Sequence, residues 1–296
     1  MPFLHAPYAA GKPPFTIGLA PIDPANWIEP DELLAAQLTL KDSILAQERA
    51  AAFGALAGSA AGQAEVLELL GAHLPARYPE IYRRENDALR ILPADRLVAP
   101  GDEPALLTAS RLVQEDLLLM RRDEQGWRLV AGSLCFPSTW VLGEKLGRTM
   151  EAIHGPVPGY AGATADRVAR IFDNLRAEQP VERFNWSIYG DARLRYNQSK
   201  QDPLARFPPG RPLSHAHIRV ERQTLRRLPR SGDILFTVRV HVDPMTALAR
   251  DARGRELARA LREQLAALAP AQLAYKGIVE AQEPLLAALG ALAGTP

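Results

Sequence analysis

Between residues 217 and 242 the chain reads HIRVERQTLRRLPRSGDILFTVRVHV, two long runs of alternating apolar and polar residues separated by Leu228-Pro229-Arg230-Ser231-Gly232. Period-two alternation sends successive side chains to opposite faces of a strand, and a short Pro/Ser/Gly connection between two such runs predicts a long antiparallel hairpin. A ribbon of this length has apolar positions to bury, so it commits the chain to a sheet packed against other elements.

The flanking sequence supplies those elements. From about Pro30 to Leu56 the residues Leu33, Leu34, Leu38, Leu40, Ile44 and Leu45 recur at helical spacing, which predicts one long helix or two abutting ones. A second helix follows in GQAEVLELLGAHLPARYP, ending where Pro75 interferes, with His73 on its solvated flank. Ala105 to about Val113 is a third helical stretch, and EDLLLMRRDEQGWRLVAGSLCF reads as a hairpin turning at Asp123-Glu124-Gln125-Gly126. Helical pattern returns from about Gly143 to Ile153 and from Thr164, a candidate first-turn cap, to Ala177; Val181 to Tyr189 reads as a strand. From about Met245 to Leu292, Ala and Leu with regularly spaced charges predict a long helix, a break near Pro270 and a terminal helix. Helices, then antiparallel strands, then helices define an α+β arrangement, expected to form one globular unit over residues 1–296.

Several function classes lose support from composition. Lys and Arg number 35 against 34 Asp and Glu, a net +1, so no bulk charge points to nucleic acid or to an anionic membrane. No run approaches the ~18 apolar residues of a membrane span, and the N-terminus lacks an apolar leader, so the expectation is a soluble protein. One cysteine, Cys135, excludes an internal disulfide and a CxxC knuckle, which fits the reducing cytoplasm. Phosphate-loop, dinucleotide, HExxH and GxSxG signatures are absent from the sequence.

Candidate chemistry therefore rests on a few polar residues. His154 closes a helical run at the mouth of Gly155-Pro156-Val157-Pro158-Gly159. A rigid backbone suits a metal-ligating imidazole, while a histidine in a last helical turn also serves as an ordinary cap for free carbonyls. Cys135, beside Phe136 and Trp140, is either a thiolate ligand or a small packed hydrophobe. His215 and His217 share one strand face without an evident third ligand, and neither His5 nor His241 has a visible partner. In the first hairpin strand Arg222 and Arg226 alternate with Arg219, Glu221 and Arg227; a solvated face or a bidentate carboxylate clamp both account for the arginines. Asn185, Ser187 and Tyr189 lie on one strand face, opposite Trp186 and Ile188, and offer one polar pocket wall.

The blocks RLVQEDLLLM, AGSLCFPSTW, IHGPVP, FNWSIY and RVERQTLRRLPRSGDILFTVRVHVDP, in that order, resemble the haem-dependent oxidative N-demethylase alpha-subunit family over roughly residues 10–275. That resemblance implies a PAS-like antiparallel sheet with helical additions holding a b-type haem. It also implies an oxygen-using enzyme that removes a methyl group from a small secondary amine as formaldehyde. A histidine is the expected iron ligand, which falls on His154, with Cys135 as runner-up. Arg222 or Arg226 is assigned to a haem propionate and Trp186 to the cofactor environment; Glu221, Tyr189, Asn185 and Gln223 are assigned to the catalytic pocket. The chain carries no cysteine cluster and no dinucleotide fingerprint, so flavin and iron–sulfur reductase subunits are the implied electron donors. A PAS-type haem sensor without turnover is the alternative, and a structural protein that has lost the cofactor is a third reading.

Overall fold

The structure is a computed structural model and describes residues 2–11, 15–199, 206–207 and 213–294. Ten strands are present among these residues: β1 (Ala20–Pro21), β2 (Phe53–Ala55), β3 (Tyr82–Glu85), β4 (Ala88–Ile91), β5 (Arg96–Val98), β6 (Asp116–Asp123), β7 (Gly126–Ser133), β8 (Val181–Tyr189), β9 (His217–Arg227) and β10 (Ile234–Pro244). The helices are α1 (Leu34–Ala52), α2 (Ala60–Arg77), α3 (Ala105–Ser110), α4 (Leu142–Lys145), α5 (Met150–His154), α6 (Ala163–Asn174), α7 (Gly254–Ala266), α8 (Pro270–Lys276) and α9 (Gln282–Ala293). The protein is α+β. Its main sheet is antiparallel in the order β1-β8-β9-β10-β6-β7-β2, and β3-β4-β5 form a second, small antiparallel sheet.

The two hairpins expected from alternation form the centre of the main sheet. In β9 and β10 the register runs from Ile234 opposite Arg227 to Pro244 opposite His217, and β6 pairs with β7 across the expected turn. One sheet face buries Leu117, Leu119 and Leu235 against α1, α2, α3 and the small sheet. On the other face Leu118, Met120, Leu129 and Leu225 pack with residues of α4, α5 and α6, including Leu142, Met150, Ile153 and Phe172. Near β8, Trp186, Ile188 and Val220 join the C-terminal helices α7 and α9 in a further core.

Several sequence expectations are corrected by local physics. The first helix ends at Ala52 because Phe53–Ala55 pair with Ala131–Ser133, and non-helical backbone at Glu48 (φ −132°) divides it into two abutting segments. Pro75 does not stop α2, which runs to Arg77. Proline removes the donor that would bond the carbonyl of Gly71, and the Arg84 guanidinium donates to that carbonyl instead. His73 is not on a solvated flank: its ring packs against Trp27 at 5.3 Å, and its Nε2 is buried without a partner. The stretch from 143 to 153 breaks into α4 and α5 at Gly147, whose φ of +78° suits glycine. Thr164 lies inside α6, whose N-cap is Gly162. The C-terminal run starts as a 3-10 helix, Met245–Arg250, and breaks three times: between Arg250 and Gly254, just before Pro270 as expected, and at Gly277 in the left-handed region (φ +64°). No helix among the described residues is long and apolar enough to cross a membrane.

Candidate functional site

A cavity of about 610 Å³ lies between the main sheet and the α4–α6 layer, within the range of small-molecule sites. Alternation determines its floor. Asn185 faces Glu221 and Arg183 faces Gln223 across β8 and β9; Val238 faces Gln223 and Phe236 faces Leu225 across β9 and β10. All seven of these side chains line the cavity. The opposite wall comes from Met150, Ile153 and His154 of α5, the turn through Pro156 and Val157, and Tyr160 and Phe172. His5, Phe15 and Tyr275 complete the lining from the chain's two ends.

His154 fills the helix-terminal hydrogen-bonding role that its sequence position suggests and lines the cavity. Its Nδ1–H donates to the Met150 carbonyl at 2.9 Å, capping the short helix α5, whose Thr149 hydroxyl caps the other end. The carbonyl can only accept, so Nδ1 carries the proton and Nε2 keeps its lone pair. Among the described residues Nε2 makes no hydrogen bond. Burial lowers the imidazole pKa against the smaller opposing effect of the Met150 bond, so the ring is neutral near pH 7. Tyr160 stacks on it at 4.6 Å with 17° between the planes. The turn that positions Tyr160 closes through Val157 N–H to the His154 carbonyl at 2.8 Å and Tyr160 N–H to the Val157 carbonyl at 3.1 Å.

Across the cavity stands a carboxylate. Glu221 accepts from Asn185 Nδ2 at 3.3 Å and Gln223 Nε2 at 2.9 Å. Burial acts to raise its pKa, but Arg219, Ser138, Asn185 and Gln223 together hold it below the usual glutamate value. Glu221 is therefore ionised while buried.

Two arginines, buried Arg206 and half-buried Arg183, also reach the cavity with bonding capacity to spare. Among the described residues Arg183 Nε and Arg206 Nη1 have no hydrogen-bond partner, and burial lowers the pKa of both groups. Arg206 is held over the Tyr189 ring at 4.1 Å. Its backbone carbonyl receives the N–H of Gly190, where a Cβ would come within 2.6 Å of that carbonyl oxygen.

The structure brings together His154, Asn185 and Glu221 around one cavity but separates other expected site residues from it. Arg222 and Arg226 leave β9 on the opposite face: Arg222 Nε bonds Glu182 at 2.8 Å and its Nη2 bonds the Asn26 carbonyl at 2.6 Å, while Arg226 lies over Trp27 at 4.7 Å. Neither lines the cavity, whereas Arg183 and Arg206 do. Tyr189 stands behind the wall as the platform for Arg206. Trp186 borders the cavity, but its ring belongs to the C-terminal core and meets Tyr8 edge-on. Cys135 is buried with Ile44, Leu45 and Phe136 away from the lining, and burial pushes its thiol up to about 11, so it is protonated near neutrality. His215 lies in a 3-10 turn rather than on β9, and half-buried His217 bonds its carbonyl through Nδ1 at 2.8 Å. Arg183 shares the strand parity of Asn185 and is therefore within reach of alternation; Arg206 lies in a proline-rich stretch of sequence that carries no period.

A largely apolar cavity with a neutral imidazole, an ionised carboxylate and two guanidiniums that each keep one N–H without an acceptor among the described residues suits an apolar ligand bearing acidic groups. The chain matches the family haem-dependent oxidative N-demethylase, alpha subunit-like, over residues 18–286 and belongs to that family. Membership places it among haem-dependent oxidoreductases, as the alpha-type component of a multi-subunit system.

Proposed function

We propose that the cavity holds a b-type haem with His154 Nε2 as iron ligand, and that the protein is the haem-bearing component of an oxidative N-demethylase acting on small secondary amines. The observation that carries this reading is the bond from Nδ1 of His154 to Met150, which leaves Nε2 unpartnered beside the cavity. Arg183 and Arg206 suit the two propionates, since each guanidinium has a buried N–H in want of an acceptor. In this reading the seven-stranded sheet is the PAS-like sheet.

When bound, haem supplies the oxygen activation and the route for electrons. The protein's residues govern what meets it. Glu221, ionised and oriented by Asn185 and Gln223, attracts the protonated amine and is placed to accept its proton. Leu118, Met120, Leu225, Phe236 and Val238 leave an apolar surface around that carboxylate, which favours N-methyl groups and excludes bulk water. Overall, dioxygen, two electrons and two protons convert the N-methyl amine to the demethylated amine, formaldehyde and water. The electrons come from partner reductase subunits, because a chain with one cysteine and no dinucleotide fingerprint lacks its own relay.

Full-length protein reconstituted with haem should show a Soret band that His154→Ala removes or shifts. The reduced protein with carbon monoxide should show a histidine-type rather than a thiolate-type spectrum. With dimethylamine and a reductase it should release formaldehyde. Absence of haem binding overturns the reading, and haem binding without formaldehyde reduces it to a sensor.

A further inference from the structure

Three residues remote in sequence meet outside the group assigned to haem. His5 comes from the N-terminal segment, Glu29 from the loop before α1 and His241 from β10. One potential ligand atom from each lies within 4.8 Å of the others. His5 Nε2 is 2.9 Å and 3.0 Å from the two Glu29 oxygens. The His5 and His241 rings meet edge-on at 5.1 Å. We propose that His5, Glu29 and His241 form a binding site for a divalent transition cation of the zinc type.

The His241 ring supports this independently: its Nε2 is buried and has no hydrogen-bond partner. An orphaned polar atom of this kind costs free energy that a bound ion would offset. The donor set is chemically apt, because two imidazoles and one carboxylate bind zinc or ferrous iron and leave coordination positions for water. His5 and Glu29 side chains retain 21% and 23% exposure, so the ion has a path from solvent.

The nearby cations are matched by other anions. Arg222 Nε is 3.3 Å from Glu29 Oε2 but closer to Glu182, at 2.8 Å. Arg239 pairs with Asp31. Three carboxylates, Glu29, Glu182 and Asp31, therefore face two guanidiniums, leaving negative charge for a cation. Arg222 also approaches Oε2 and helps fix the carboxylate, both of whose oxygens are within reach of His5 Nε2, as outer-shell partners of metal ligands do.

Such an ion would fasten the N-terminal segment to the sheet. Leu4, His5 and Ala6 line the large cavity, and the segment is otherwise tied by Phe3 N–H to Asp243 at 3.1 Å and by Arg253 to the Phe3 carbonyl at 3.1 Å. The cation would thus secure one wall of the cavity from outside it.

The test is calorimetric titration of chelator-treated, full-length protein with Zn²⁺. The expected result is one saturable equivalent, with affinity reduced at least ~10-fold in both His241→Ala and Glu29→Gln. The equivalent should survive in His154→Ala and in the double variant His215→Ala/His217→Ala. His5→Gln, on the partly exposed segment, provides a ligand loss that leaves the sheet intact, and near-ultraviolet circular dichroism checks folding of each variant. Absence of saturable binding, unchanged affinity in folded His5→Gln, or loss of the equivalent in the His215/His217 variant would overturn the proposal. None of these readouts depends on haem.

Discussion

Tyr160 lies parallel to the His154 imidazole at 4.6 Å while the Met150 carbonyl holds Nδ1 from one helical turn back, so the ring is fixed from two directions. A stacked aromatic pair contributes ~0.5–1.5 kcal/mol beyond its buried area. Tyr160→Ala should therefore speed haem transfer to an excess of apomyoglobin by about 2- to 10-fold, followed by absorbance, whereas Tyr160→Phe should leave the rate near that of the parent protein.

Arg183 and Arg206 give a prediction of opposite signs. In haem-free protein Arg206 is a buried cation with an N–H that has no partner among the described residues, so Arg206→Met should raise the stability of the apoprotein by ~1–3 kcal/mol in urea unfolding. The same substitution should weaken haem binding in fluorescence-quenching titrations. A variant that lowers both quantities would show that the guanidinium is there for the fold.

Glu221→Gln keeps the shape of the side chain and its amide neighbours but deletes the charge. A charge-assisted hydrogen bond contributes about 1.5–3 kcal/mol, so KM for a protonated secondary amine should rise by about 10-fold or more while the haem spectrum is retained. Steady-state formaldehyde release across a range of amine concentrations measures this.

His73 links stability to pH. Burial, with Arg226 and Arg77 adding to it, lowers its pKa to about 4. Its value in the unfolded chain is near 6.5, so the unfolded state takes up the proton first, and stability falls as pH drops from ~6.5 to ~4. Partial exposure of the ring limits the loss to roughly 1–2 kcal/mol. His73→Phe, which removes the unpartnered nitrogen, should flatten the dependence of the urea midpoint across that window.

Two glycines separate steric from conformational effects. A Cβ on Gly254 would sit 1.8 Å from the Leu248 carbonyl oxygen, whereas one on Gly143 would meet nothing within 4 Å. Gly254→Ala should cost about 1–3 kcal/mol through forced backbone movement, and Gly143→Ala, inside α4, should be neutral or stabilising by up to ~1 kcal/mol. Thermal unfolding of the two variants gives the comparison.

What the sequence disclosed follows from which residues obey a period. Strands β8, β9 and β10 alternate, so Asn185 and Glu221 could each be given a parity within its own strand, while the register that brings them to one face comes from the pairing of β8 with β9. The same alternation, followed strictly, also excludes Arg222 and Arg226 from that face and includes Arg183. The β3–β5 sheet was not legible, because YRRE and RLV are too short and too charged to show a pattern. Pro75 reads locally as a helix end, and only the distant Arg84 explains why the helix continues. His5, Glu29 and His241 come together through tertiary packing alone, as does the seat of Arg206 between Tyr189 and Gly190.

The two sides of β9 carry incompatible cargo: Glu221, Gln223 and Leu225 on one, and Arg222, Thr224 and Arg226 on the other. Inserting or deleting a single residue in its interior would exchange them, driving two arginines, one of them ion-paired with Glu182, into the apolar chamber and turning the carboxylate toward the opposing core. Length in this strand is thus frozen even where individual side chains can vary, and natural indels in its relatives should fall beyond Arg227 or before His217.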